Sequence, residues 1–214
     1  CCTDFIICFS DSRENNYRRD HYPLYKAHRT GEPPAMLGKA KEMLAEYGRS
    51  VTIPRLEADD VMGILATNGK VPNPVIITVD KDLRGVPGWH FNPDKEDFPV
   101  YVSELEADYV FYTQWLTGDS TDGFKGIKGC GPKKAQKILN QGDPERAEPE
   151  TAWDWVVLEA YRDAGMSLDE ALAQARCARI LRACDFDADN RVAIPWSPAP
   201  EAAEVVFEAT GEEV

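Results

Sequence analysis

Residues 75–79 read Val-Ile-Ile-Thr-Val, with Pro72 and Pro74 in front and Asp80-Lys81-Asp82 behind. A β-branched run without polar alternation is the pattern of a strand covered on both faces, as in the middle of a parallel sheet. Parallel strands need crossover connections, and the chain supplies them. Phe5 to Ser10 is a second short apolar run, and Pro33-Pro34 opens a helix through Tyr47 that Gly48 ends. Ser50 to Ile53 is a short strand, and Leu56 to Thr67 carries a helical apolar period. Strand-helix-strand alternation over residues 5–79 predicts an α/β fold with a mainly parallel central sheet flanked by helices. Ligands of such sheets collect at the carboxyl ends of the strands, where Asp11, Asp80 and Asp82 fall.

A chain of 214 residues can bury a real core, as one domain or as one domain with a helical appendage. Its longest apolar runs, Phe5 to Phe9 and Val75 to Val79, are far below transmembrane length, so no membrane partner is expected. There is no signal-peptide pattern. The chain begins Cys1-Cys2-Thr3 rather than with Met, and an N-terminal piece is expected to be absent. Cys1, Cys2, Cys8, Cys130, Cys177 and Cys184 form no Cys-x-x-Cys pair and have no histidine at zinc-finger spacing, which fits a reduced intracellular compartment. The net charge of -13 is unevenly spread: residues 143–214 hold 17 acidic and 6 basic side chains, residues 1–142 hold 20 and 18. Acidity therefore resides in the last third and does not exclude a nucleic-acid partner.

The chemistry-bearing residues recur as carboxylates beside cations. Glu57, Asp59 and Asp60 crowd the start of a helix, where one acid would suffice for capping. Ser103 and Glu106 make a capping box for a helix to about Leu116, and Asp119 and Asp122 lie beyond its C-terminal end, where the dipole disfavours negative charge. A cation explains them better than helix chemistry does. Oxygen ligands without His or Cys suit Mg²⁺ or Mn²⁺, and two such ions about 4 Å apart serve in-line displacement at phosphorus. Gly126, Gly129 and Gly131 then punctuate a turn among Lys125, Lys128, Lys133, Lys134 and Lys137. Pro132 follows the last glycine, which disfavours a P-loop and fits the first position of a helix. The turn is either a hairpin offering amides to a DNA or RNA phosphate or an ordinary turn before a solvated basic helix. Ser12 to Arg29, with Arg13, Arg18, Arg19, Lys26 and Arg29, reads as a solvated loop or as a mobile basic segment over nucleic acid, and its mixing of basic and aromatic residues raises the second. Glu150 to Ala164 and Leu168 to Cys184 are amphipathic helices, the second opened by Ser167 with Glu170. Pro195 to Glu213 reads as a loosely ordered acidic end.

Five pieces stand in order: FSD at Phe9 to Asp11, YKAHR at Tyr25 to Arg29, LEADD at Leu56 to Asp60, TVDKDL at Thr78 to Leu83, and GDSTDGFKGIKGCGPKKA at Gly118 to Ala135. Together they resemble the 5′ nucleases: flap endonucleases, the 5′-3′ exonuclease domain of bacterial DNA polymerase I, and phage 5′-3′ exonucleases. ARILRACDFD at Ala178 to Asp187 looks most like the phage branch. The resemblance implies a PIN-like 5′ nuclease fold with a metal-binding core over 1–102, a helical DNA-binding region over 103–195 with a helix-hairpin-helix-like turn, and an acidic tail over 196–214. It implies two Mg²⁺ or Mn²⁺ ions, with Asp11, Glu57, Asp59 and Asp60 on the first, Asp80 and Asp82 between, and Asp119 and Asp122 on the second. Lys26 and Arg29 correspond to the basic pair at the scissile phosphate, and Gly126 to Gly131 to the turn that grips duplex backbone, often with a potassium ion. The implied substrates are DNA 5′ ends, flaps and duplexes, with RNA-DNA hybrids as a further class, in the cytoplasm of a bacterium or phage-infected host. The family pattern starts with a strand carrying an aspartate, for which Asp4 is no counterpart. A noncatalytic DNA-binding module of the same fold is therefore a second reading and a PIN-like ribonuclease a third.

Overall fold

A computed structural model describes residues 4–142 and 149–208, except for the side chains of Arg13, 149–151 and Glu208. Its first half alternates as the apolar runs predict. Strand β1 (Ile6–Phe9) leads through the short helix α1 (Arg18–His21) and α2 (Leu37–Tyr47) to β2 (Arg49–Thr52). Helix α3 (Ala58–Thr67) then leads to β3 (Val75–Ile77), β4 (Gly88–Phe91) and β5 (Val100–Val102). β1 and β2 pair in parallel with Ile6 opposite Arg49 and Phe9 opposite Thr52, and β3 pairs in parallel with β4. β5 closes that second sheet antiparallel.

The expected single central sheet is instead divided, because the two parallel pairs share a helix rather than a ladder. α3 packs against β1, β2 and β3. Its apolar stripe splits between a cluster with Ile53, Leu56, Val61 and Ile64, and another in which Ile76 meets Leu83 and Val86. β3 is correspondingly covered on one face: Ile76 is 5% exposed, while Val75 and Ile77 are 41% and 56% exposed. The double-sided burial predicted for residues 75–79 is corrected accordingly.

The second half is helical. α4 (Glu104–Thr117) starts on the Ser103 and Glu106 capping box, with Glu106 N–H donating to Ser103 Oγ and Ser103 N–H to Glu106 Oε2. It carries Phe111, Tyr112, Trp115 and Leu116 into the main core. Around it lie α5 (Pro132–Leu139), α6 (Pro149–Asp163) and α7 (Leu168–Ala178). Trp115 Nε1–H donates to Ala171 O at 2.8 Å, and Tyr161 Oη–H donates to Trp115 O at 2.6 Å. The buried polar tips of both aromatics thereby gain partners.

Two expectations for this half change. α7 starts on its predicted Ser167 cap but stops at Ala178, six residues before Cys184. The chain extends there because Arg179 and Arg182 enter a buried ion network with Asp108 and Asp185, with Arg182 Nη2 2.6 Å from Asp108 Oδ1 and Arg179 Nε 2.9 Å from Asp185 Oδ2. After a two-stranded hairpin, β6 (Phe186–Asp187) and β7 (Val192–Ala193), the expected loose acidic end contains α8 (Pro200–Glu208). α8 packs on α6 and buries Ala202 and Val206, so apolar burial fixes residues that composition alone reads as unstructured. Residues 209–214 of that stretch lie outside the described residues. No helix among the described residues is long and apolar enough to cross a membrane.

Candidate active site

Four chain segments deliver carboxylates. The turn after β1 carries Asp11, whose Oδ2 accepts Arg55 N–H at 2.8 Å. Backbone donors from Arg55 and Ser12 hold that carboxyl below its ordinary range. The N-terminus of α3 presents Glu57 as its cap and Asp59 in its first turn, and Ser10 Oγ accepts Ala58 N–H at 2.9 Å, tying this end to the β1 turn. Beyond β3, Asp80 Oδ1 accepts Asp82 N–H at 2.9 Å. Beyond α4, Asp119 Oδ1 accepts Thr121 N–H at 2.6 Å in a tight turn closed by the Asp119–Phe124 bridge.

Asp59 lies within electrostatic reach of Glu57 and Asp80, and Asp82 within that of Asp80, Asp119 and Asp122. Burial, then Glu57, Asp60 and Asp80, push Asp59 up to about 6. Burial also raises Asp82, helped by Asp80 and, across the chain, by Asp119 and Asp122. Mutual repulsion among oxygen donors is the environment a hard divalent cation relieves, so the donor set fits Mg²⁺ or Mn²⁺ in chemistry. Among the described residues no three such side chains already converge on one point. Cations of the chain itself hold two of them, Glu57 and Asp122, instead.

Those cations come from residues 25–29. Lys26 Nζ lies 2.6 Å from Glu57 Oε1 and 3.4 Å from Asp122 Oδ2, and Arg29 Nη2 lies 2.9 Å from Asp122 Oδ1. Tyr25, 2% exposed, places its hydroxyl 2.8 Å from Glu57 Oε2 and 3.0 Å from Asp122 Oδ2. Burial pushes Glu57 up, but Arg18 and Lys26 outweigh it and leave the carboxyl below its ordinary value. Gly123 permits this approach: at φ 84 it lies where a Cβ would sit 3.2 Å from Leu24 O and 3.3 Å from His28 Nδ1. The structure thus brings Lys26, Arg29, Glu57 and Asp122 together.

Asp60 and Arg18 leave the roles expected of them. Asp60 is fully buried, and its two oxygens accept Arg18 Nη1–H and Nη2–H at 2.7 Å each, Leu181 N–H at 3.1 Å and Glu57 N–H at 3.2 Å. An ion could reach it only by breaking this bidentate pair. Arg18, 2% exposed, also donates to Cys177 O and Arg179 O, so it grips the protein interior rather than a phosphate. Arg19 is half-buried, and Arg13 has no described side chain.

The glycine-lysine turn divides similarly. Gly126 N–H and Lys125 N–H both donate to Gln174 Oε1 at 3.0 Å, so the Gly126 amide is directed inward and is unavailable to a phosphate. Ile127, Cys130, Ala135 and Leu139 bury the base of the turn. Lys125, Lys128, Gly129, Gly131, Lys133, Lys134 and Lys137 remain exposed along its outer edge. Sequence reasoning missed Gln174, which carries no local signal on α7. It also missed Tyr25, although Tyr25 opens the quoted YKAHR piece.

Residues 2–87 match the family described as 5′-3′ exonuclease, N-terminal resolvase-like domain. The exodeoxyribonuclease of Enterobacteria phage T3 is 30% identical over 226 residues, a match spanning 90% of this chain and 73% of that protein. This chain belongs to the 5′ nuclease family. The exonuclease of Escherichia phage T7 is a similar relative of this 5′ nuclease, at 30% identity over 225 residues and the same coverage. Among solved structures, the T5 5′-exonuclease with divalent zinc ions bound shares the fold at a TM-score of 0.62. That match covers 99% of this 5′ nuclease and 84% of the other chain, at 14% identity. The α/β fold and 5′-3′ nuclease class expected from the five motif pieces are those of its relatives.

Proposed function

We propose that this 5′ nuclease hydrolyses phosphodiester bonds of DNA near a 5′ end with Mg²⁺ or Mn²⁺ held by Asp11, Glu57, Asp59, Asp80, Asp82, Asp119 and Asp122. The observation that carries the reading is the meeting of Glu57 and Asp122, 65 residues apart, around Lys26 and Arg29. A pair of divalent ions among these oxygens would supply charge neutralisation at phosphorus and an activated water. Lys26 and Arg29 would bind the scissile phosphate and offset the charge that builds on its oxygens. Exposed Lys125, Lys128, Lys133, Lys134 and Lys137, with the Gly129 and Gly131 amides, would hold the duplex backbone, where a potassium ion is a further ligand of the turn. Flaps, blunt 5′ ends and RNA-DNA hybrids are the substrates to compare.

The test is cleavage of 5′-labelled flap and blunt duplex DNA with Mg²⁺ or with EDTA, beside the Asp119→Asn/Asp122→Asn double variant. The expected result is cutting that needs both the ion and the two carboxylates, and cutting by the double variant at the unaltered rate would overturn the assignment. A second reading, a DNA-binding module that does not cut, is favoured by the saturation of Asp60 by Arg18. It would show as DNA binding without cleavage under every metal condition.

A further inference from the structure

Residues 25–29 contact every oxygen of Glu57 and Asp122. Lys26 Nζ takes Glu57 Oε1, Tyr25 Oη takes Glu57 Oε2, Arg29 Nη2 takes Asp122 Oδ1, and Tyr25 with Lys26 shares Asp122 Oδ2. A phenol has one proton and can donate to only one of its two carboxylates at a time. Lys26 offers its charge to both acids, at 2.6 Å from Glu57 Oε1 and 3.4 Å from Asp122 Oδ2. Side-chain exposures of 13% for Lys26, 20% for Glu57 and 22% for Asp122 mean that water screens these pairs little. Further bonds seat the segment: Lys26 N–H donates to Asp122 O at 2.7 Å, and Arg29 Nη2–H to Thr121 O at 2.8 Å. Lys26 nevertheless sits at φ 52, a left-handed conformation that a side-chain-bearing residue adopts only when its surroundings impose it.

Each carboxylate oxygen keeps a second lone pair beside these contacts, but a divalent ion held on Glu57 or Asp122 would lie against the Lys26 and Arg29 cations already paired with them, and those cations are the pair the phosphate would need. We infer that Lys26 and Arg29 are rivals of the divalent ion for Glu57 and Asp122, so that ion binding unseats residues 25–29 and frees both cations for substrate. This rests on the reading that Glu57 and Asp122 are ion ligands. Ion and segment are then linked reciprocally: whatever weakens the ion pairs strengthens ion binding, and the ion loosens the segment.

The experiment is Mn²⁺ titration calorimetry on the full chain without DNA, for the wild type, Lys26→Met, Arg29→Gln and the control Lys70→Met. Hydrogen exchange of wild-type residues 22–30 with and without Mg²⁺ accompanies it. Lys26→Met and Arg29→Gln should each tighten Mn²⁺ binding by about tenfold, the equivalent of roughly 1.4 kcal/mol. Lys70→Met should leave it unchanged, and Mg²⁺ should speed exchange of the Lys26 amide in the wild type. If the wild type binds no Mn²⁺, the metal reading fails and the rivalry falls with it. If the wild type binds Mn²⁺ but the two variants bind no tighter, and Mg²⁺ leaves exchange unchanged or slower, the rivalry alone is overturned. Should a variant fail to fold, the wild-type exchange result decides.

Discussion

Arg18 stands in a run of exposed-looking cations, Arg13, Arg18, Arg19, yet its guanidinium makes four hydrogen bonds inside the protein. A buried charge is tolerated only when paired and hydrogen-bonded, and Asp60 supplies both halves of a planar fork. Arg18 also positions Glu57, because the Asp60 oxygen that it holds accepts the Glu57 amide. Arg18→Met strands the Asp60 charge in the interior and should cost about 3–5 kcal/mol of unfolding free energy. Urea denaturation should show a lower midpoint, and the Arg18→Met/Asp60→Leu double variant should recover a large part of the loss. A midpoint unchanged by Arg18→Met would refute the buried pair.

At the scale of elements, helix ends build the site. α3 opens with Glu57 as its cap and presents Asp59 in the same turn, while α4 ends just before the tight turn that holds Asp119 and Asp122. The glycine-lysine turn is anchored from α7, whose Gln174 accepts two adjacent amides. Gln174→Ala leaves those amides without their acceptor, at about 1–3 kcal/mol for the buried one. The expected outcome is a lower melting temperature together with weaker binding of a fluorescent duplex. Duplex affinity retained at full strength would show that the anchored geometry is not what grips DNA.

On the scale of the whole molecule, charge is segregated. The exposed lysines of the turn and α5 belong to the near-neutral first two-thirds, while the acidic excess lies in residues 143–214. Each phosphate neutralised by a lysine releases condensed counterions, so binding weakens with salt in proportion to the contacts made. The Lys133→Gln/Lys134→Gln/Lys137→Gln variant should flatten the slope of log affinity against log salt by roughly 2–3. Duplex binding over a salt series measures this, and an unchanged slope would move the DNA path away from α5.

The features legible in the sequence are those that local physics decides. The Ser103–Glu106 and Ser167–Glu170 boxes start helices because their hydrogen bonds close within one turn. The β-branched runs form parallel pairs, and the acids after them lie at strand ends, since alternation and crossover handedness leave few other arrangements. The lysine-rich turn is exposed where the residue pattern puts it. What tertiary structure alone decided was the use of residues whose partners are distant in the chain. Arg18 is buried by carbonyls 159 and 161 positions away, the Gly126 amide is taken by a glutamine 48 positions away, and α7 stops early so that Arg179 and Arg182 can neutralise interior acids. An arginine awaiting a phosphate and one that braces a core are alike in sequence, and so are an aspartate that binds an ion and one that binds a guanidinium. Desolvation distinguishes them, and it is a property of the packed molecule rather than of the chain.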